Sequence, residues 1–239
     1  MTTSQPLLAV RDLHAHYGKS HILHGVTLDV GRNEVVSLLG RNGSGRSTTL
    51  KSIIGLVTPT RGSIALGGRE LAQLRPYEIC RAGIAYVPEE REVFANLTVD
   101  ENLHMGEQRG YPGAPTWTLE DMFNFFPLLK RRRTTMAGSL SGGEQQMLTI
   151  CRSLLGNPGV ILIDEPTEGL APKIVAAVGE SIQEMQRRGV AVLLVEQKLA
   201  IALKVSTRVC VMGQGRIVFE GTSQQLLDDE QLLANWLAV

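Results

Sequence analysis

Gly40-Arg41-Asn42-Gly43-Ser44-Gly45-Arg46-Ser47-Thr48 joins a short apolar run, Glu34 to Leu39, to an amphipathic stretch, Ser47 to Gly55. Strand, glycine-rich loop and helix, in that order, is the context a phosphate-binding loop requires. The glycines let successive backbone N–H groups converge on phosphate oxygens, and the helix N-terminus adds the positive end of its dipole. The hydroxyl of Ser47 suits a Mg²⁺ ligand. The strict pattern GxxxxGK(S/T) has lysine where this chain has Arg46. Arginine keeps the charge on a larger planar fork. The expectation is that nucleotide binding survives with a perturbed γ-phosphate geometry, and that Arg46→Lys raises turnover. An ordinary glycine-rich turn is the competing reading of the loop taken alone.

Further along, Val160-Ile161-Leu162-Ile163-Asp164-Glu165-Pro166-Thr167 is an apolar strand ending in two carboxylates. Ligands of open α/β sheets bind at the carboxyl ends of the strands. There Asp164 is suited to hold Mg²⁺ and Glu165 to orient or deprotonate an attacking water. A strand running into a plain acidic turn is the alternative, and the upstream loop weighs against it.

Around these two segments the pattern alternates. Ile84 to Val87, Val190 to Val195 and Arg208 to Met212 are further buried-strand runs, and Pro172 to Gly189 is a helix punctuated by proline at its start and glycine at its end. This is the grammar of a parallel α/β sheet with crossover helices. Two regions depart from it. Residues from about 7 to 36 read as an antiparallel β subdomain, and about 97 to 155, with the aromatic-rich Trp117 to Leu129, read as an inserted helical subdomain. One compact unit, 1–239, is expected, closing on a short amphipathic helix from Asp228 to Val239.

The bulk numbers exclude more than they select. At 239 residues, 43% hydrophobic and 20% charged, the chain supports one substantial core. Lys+Arg 24 balances Asp+Glu 24, so no overall field favours nucleic acid or an anionic membrane. Three scattered cysteines form neither a disulfide framework nor a zinc pattern. Met1 to Val10 has no signal-peptide pattern, and no apolar run is long enough to cross a bilayer. His14, His16, His21 and His24 read as polar surface of a strand pair rather than as metal ligands. Arg131-Arg132-Arg133 reads as a solvated turn, and Trp117, Phe123, Phe125 and Phe126 as the core of the helical lobe and part of a groove on its surface.

A third segment, Leu140-Ser141-Gly142-Gly143-Glu144-Gln145-Gln146, opens another helix. Alone it is an N-cap with Ser141 as the capping residue. Together with the other two segments it makes the sequence resemble the ABC ATPase family, whose signature LSGGQ is nearly spelled out as LSGGE. The resemblance runs from about Leu7 to Leu237. It implies a P-loop NTPase (RecA-like) core and a head-to-tail dimer that sandwiches ATP, with Mg²⁺, between the loop of one subunit and Ser141, Gly142 and Gly143 of the other. It also implies adenine stacking on Tyr17, a metal- and permease-sensing role for Glu89, and a γ-phosphate switch at Gln197.

Four positions depart from the family pattern: Arg46 for lysine, Glu89 for glutamine, Ala171 for aspartate and Gln197 for histidine. The last three, with the strings YVPE, DEPTEGLAP and LLVEQ, resemble the second ATPase of branched-chain amino-acid importers, the LivF type. That resemblance implies a peripheral subunit on the cytoplasmic face of the plasma membrane. Its partners would be transmembrane permease subunits and a second ATPase subunit, with a substrate-binding protein engaged only through the permease and no nucleic acid. A nucleotide-binding regulatory subunit with little hydrolysis of its own stays open, as do the ATPase of a urea or short-amide importer and a soluble ATPase acting on ribosomes or DNA.

Overall fold

The computed structural model describes residues 5–237. Readings that touch 1–4 (no signal segment) or 238–239 (the end of the last helix) lie outside them. Ten strands and ten helices follow one another among the described residues. The chain opens with β1 (Leu8–Tyr17), β2 (Ser20–Val30), β3 (Val35–Leu39), α1 (Arg46–Ile53), β4 (Arg61–Leu66), β5 (Arg69–Glu70), α2 (Pro76–Ala82) and β6 (Ile84–Val87). The lobe then contributes α3 (Val99–His104), α4 (Leu119–Phe125), α5 (Pro127–Arg131), a single 3₁₀ turn and α6 (Gly142–Leu154). The chain closes with β7 (Val160–Asp164), α7 (Pro172–Arg187), β8 (Ala191–Val195), α8 (Leu199–Val205), β9 (Arg208–Gly213), β10 (Arg216–Gly221), α9 (Ser223–Leu227) and α10 (Glu230–Trp236).

The strands form two sheets. The larger has the order β10-β9-β3-β8-β7-β6, parallel from β9 to β6, with β10 antiparallel at the edge. Every residue of β3, β7 and β8 is buried, as expected for parallel strands covered on both faces. Alternate side chains divide between two cores. Val36, Leu38, Val160, Leu162, Leu193 and Val195 face a core shared with β1, β2 and α1, whereas Ile161, Ile163, Val192 and Leu194 face one shared with α3 to α7.

The smaller sheet, β2-β1-β4-β5, is antiparallel. It reaches beyond the 7–36 region read from the sequence: β4 and β5 belong to it, while β3, from Val35, belongs to the other sheet. On the β1–β2 hairpin the four histidines do share a face. His21 stacks on His16 with ring centroids 4.1 Å apart and lies 3.9 Å from His24 and 5.2 Å from His14. His14 Nε2 faces Asp12 Oδ1 at 3.1 Å.

The two sheets and the loop after β3 are tied at one point. His24 N–H donates to the Gly215 carbonyl at 2.9 Å, and Gly215 N–H donates to the Ser44 carbonyl at 2.9 Å. Gly215 has φ +75°, and a Cβ there would lie 2.1 Å from the Ile22 carbonyl oxygen.

In the helical lobe Trp117, Phe123 and Phe126 are buried and Phe125 partly so, which makes them core. Phe125 also borders a hollow of about 220 Å³ beside α7. A hollow of about 270 Å³ runs between β6 and α3, with the exposed side chains of Phe94 and Met105 on it. Arg133 pairs bidentately with Asp100, at 2.9 and 2.7 Å, so the arginine run is partly tied down. α10 ends at Trp236, and Arg41 reaches across to the Ala234 carbonyl.

Candidate active site

Parallel strands deliver their loops to one edge of the sheet. Here β3 leads into Gly40–Thr48, β6 into Pro88-Glu89, β7 into Glu165–Leu170 and β8 into Glu196-Gln197. The loops enclose a cleft of about 290 Å³ lined by Asn42 to Thr48, Glu89, Glu165, Glu168 and Gln197. The glycines in the phosphate loop have steric reasons to be there. Gly40 has φ +152°, and a Cβ on it would lie 2.4 Å from the Met212 carbonyl oxygen. Gly45, φ +105°, caps α1 with no side-chain bond to the helix N–H groups. Those N–H groups therefore face the cleft as donors. Ser44 Oγ is buried without a hydrogen-bond partner, a hydroxyl that a phosphate oxygen would satisfy.

Arg46 does not point to solvent. It is 5% exposed, and its guanidinium donates to Glu165 Oε1 at 2.9 Å, Asn42 Oδ1 at 3.2 Å and the Glu196 carbonyl at 3.1 Å. The other carboxylate oxygen of Glu165 accepts from Gln197 Nε2 at 2.6 Å. Glu165 is thus gripped on both oxygens by the two residues that replace lysine and histidine in the family pattern. Its backbone is also unusual: φ is +43°, a left-handed conformation that costs about 1–3 kcal/mol for a residue other than glycine. The Glu165 N–H donates to the Val195 carbonyl at 3.0 Å, which fixes this turn to the end of β8.

Asp164 lies below, 1% exposed. Ser47 Oγ donates to its Oδ1 at 3.0 Å and Tyr86 Oη to its Oδ2 at 3.3 Å. Burial raises the Asp164 pKa from its usual range, and the two hydroxyls hold it down. A hydroxyl and a buried carboxylate side by side at the foot of a phosphate loop are hard oxygen donors, the set that Mg²⁺ prefers. The residues present therefore fit that ion.

Three carboxylates, Glu89, Glu165 and Glu168, meet at the mouth with oxygens within 4.8 Å of one another. Crowding of this kind disfavours full ionisation. Burial pushes the Glu165 carboxyl up to about 7; the Arg46 charge opposes the rise and Glu89 adds to it. Glu89 is raised too, by burial and then by its hydrogen bond with Glu168.

The other expected residues lie apart from this cleft. Tyr17 ends β1 at the hairpin turn and is half exposed; the neighbouring strand β2 presses Leu23 against Gly45. Ser141 caps α6, accepting from Glu144 N–H at 3.4 Å while donating to the Glu144 carboxylate at 2.6 Å. Gly142 lies against Arg91 and Gly143 against Ile174, so the signature segment is outside the cleft of its own subunit. Ala171 caps α7 with no side-chain bond.

Five residues that the sequence reading did not single out complete the framework. Glu168 closes the mouth, and Tyr86 secures Asp164. Buried Glu196 accepts from the Thr167 hydroxyl and from the N–H groups of Gln197, at 2.8 Å, and Lys198, at 3.0 Å, while Lys198 Nζ donates to the Thr167 carbonyl at 2.9 Å. This bracket joins the loops after β7 and β8. An acidic residue ending an apolar strand, as Glu196 does, was the one signal available for it.

A phosphate loop and an acidic strand end sharing one cleft, with a serine-capped, glycine-rich helix start lying outside it, make this fold a nucleotide-binding ATPase cassette. The chain belongs to the ABC transporter family, whose family model matches residues 23–168. It is 42% identical over 226 residues to the high-affinity branched-chain amino acid transport ATP-binding protein BraG of Pseudomonas aeruginosa, covering 95% of this chain and 97% of that protein. It is 37% identical over 226 residues to the probable branched-chain amino acid transport ATP-binding protein LivF of Archaeoglobus fulgidus, covering 94% and 96%. The crystal structure of a nucleotide-free ATP-binding cassette from an ABC transporter superposes with a TM-score of 0.82 at 26% identity, covering 96% of this chain and 98% of that one. ATP-binding subunits of this family work with transmembrane components. Among the described residues no helix is long and apolar enough to cross a membrane.

Proposed function

We propose that this chain hydrolyses ATP to power an importer of branched-chain amino acids, working at the cytoplasmic face of the membrane as one of a pair of ATPase subunits. The amino-acid assignment is supported by the two transport relatives and by the three loop substitutions Glu89, Ala171 and Gln197. The observation that carries the catalytic part is the cleft shared by Ser47 and Glu165 at one sheet edge, with Asp164 bonded to the Ser47 hydroxyl.

The loop amides and Arg46 bind and orient the phosphates, whose charge they oppose. Ser47 and Asp164 would hold Mg²⁺, which when bound draws charge from the β- and γ-phosphate oxygens. Glu165 takes up a proton from the attacking water on a lone pair that Arg46 and Gln197 leave free, and Gln197 orients that carboxylate without carrying a proton itself. The capped end of α6, with Ser141, Gly142 and Gly143, faces outward and suits the phosphates held by the opposite subunit. Tyr17 suits the adenine, and Glu89, at the end of β6, suits a relay toward the groove of Phe94 and Met105, where a permease segment would dock.

Mg²⁺-dependent hydrolysis by the purified chain, alone and with a sister subunit, tests the reading. Hydrolysis by the chain that Glu165→Gln abolishes supports it. Nucleotide binding that stays silent both alone and with a sister subunit would make this a regulatory subunit. Uptake of leucine or isoleucine, against urea, by the assembled transporter decides the solute.

A further inference from the structure

Arg46 is held by more acceptors than a phosphate contact needs. Its fork spans Glu165, Asn42 and the Glu196 carbonyl, and its side chain fills the same cleft that the loop amides line. A carboxylate bonded to a guanidinium on one oxygen, at 2.9 Å, and to Gln197 on the other, at 2.6 Å, is fixed in orientation from both sides and is poorly placed to turn toward an attacking water. We propose that Arg46 is a nucleotide-operated restraint on Glu165: in the free subunit its guanidinium holds the carboxylate, and a bound polyphosphate takes the guanidinium and frees it.

The physical basis is competition for one fork. A guanidinium pairs bidentately with phosphate as readily as with carboxylate, and a triphosphate brings several negative charges against one. Asn42 and the Glu196 carbonyl are neutral acceptors that hold the fork loosely enough to swing. A lysine ammonium is a compact point charge without the two separated Nη groups that here reach the Glu196 carbonyl on one side and Glu165 and Asn42 on the other, so the restraint is specific to arginine at this position. The consequence is a subunit whose base is masked without nucleotide and whose affinity for nucleotide is lowered by the contact that must break. This inference rests on the nucleotide reading of the cleft and adds a positioning role to Arg46.

A double-mutant cycle on nucleotide affinity tests it without relying on turnover. The Mg²⁺ complex of β,γ-imido-ATP is titrated calorimetrically into the wild-type chain, R46K, E165Q and the double variant, with AMP as the probe lacking β- and γ-phosphates. Removing a negative charge tightens binding in either background, so the coupling is what counts. The expectation is that E165Q tightens imido-ATP about fivefold more in the wild-type background than in R46K, within the range of coupled neighbours, with no such excess for AMP. In a crystal of the imido-ATP complex the Arg46–Glu165 contact of 2.9 Å is expected to be broken. Additive effects on imido-ATP, or that contact intact with nucleotide bound, would overturn the restraint and leave the nucleotide site standing. Failure of all four proteins to bind would remove both.

Discussion

Two glycine-rich segments of this molecule open helices, and they treat their donors in opposite ways. At α1 the capping residue is Gly45, no side chain satisfies the first helical N–H groups, and the surrounding loops bring Arg46, Ser47 and Glu165 into a shared cleft. At α6 the capping residue is Ser141, and Ser141 and Glu144 satisfy each other in a capping box. The first segment is built into a pocket that its own subunit encloses. The second is a finished, self-stabilised helix end presented outward with two small residues beside it. In the proposed function a ligand held by α1 is closed over by the α6 end of another subunit. On that proposal, binding falls chiefly to the first segment and assembly-dependent catalysis to the second.

That division makes predictions of decreasing size. Glu165→Gln, at the first segment, lowers steady-state hydrolysis by about 10²- to 10⁴-fold, the usual range for loss of a general base, with nucleotide binding retained by calorimetry. A variant that keeps a tenth of the rate would move the base elsewhere.

Ser141→Ala lowers hydrolysis by the assembled pair by about tenfold while the isolated chain binds nucleotide as before. Loss of the cap costs about 1 kcal/mol, seen as a fall in melting temperature of roughly 2–4 °C. If binding by the isolated chain weakened as well, the division between the two segments would break. Tyr17→Ala weakens ATP binding by about two- to tenfold, the value of one aromatic stacking contact, and leaves a polyphosphate such as tripolyphosphate unaffected. Equal loss for both probes would place Tyr17 away from the base.

The smallest effect is a pH dependence beside the first segment. His21 titrates below its ordinary range because of burial and then the charges of His24 and His16. The unfolded hairpin therefore binds the proton more readily, so protonation opposes folding. Stability of the β1–β2 hairpin is full above about 6.5 and declines as pH falls toward the lowered value. Hydrogen exchange of β1 and β2 amides between pH 7.5 and 5.5 reads it, and faster opening at the acid end is expected there but not around Ser141. A uniform change across both regions would reflect global unfolding instead.

The parallel core was legible because β3, β7 and β8 are buried on both faces and so read as unbroken apolar runs. β10 was not: its residues alternate between exposed and half-buried, and Arg216, Glu220 and Gly221 dilute the pattern of an edge strand. β4 and β5 escaped for a related reason, since Arg61-Gly62 begins one and the other has two residues. At the site, Asp164 and Glu165 were readable because they mark the end of β7, and Ser47 because it follows the glycines that open α1. The contact of Arg46 with Glu165 was not, because it spans 119 positions of sequence and depends on which way a long side chain turns. Glu168 and Tyr86 carried no pattern that distinguishes them from other loop and strand residues.

Gly215 has a consequence for how such a protein can diverge. One glycine links the β1–β2 hairpin through its carbonyl and the phosphate loop through its N–H, in a backbone conformation that other residues rarely adopt. A surface lysine can drift through many residue types, each tested separately by selection. At Gly215 any replacement presses a Cβ against the Ile22 carbonyl and disturbs both the β1–β2 strands and the loop after β3 at once. A descendant sequence that changed this residue would need coordinated substitutions in two sheets, so mutational freedom here is set by the junction and not by the local turn.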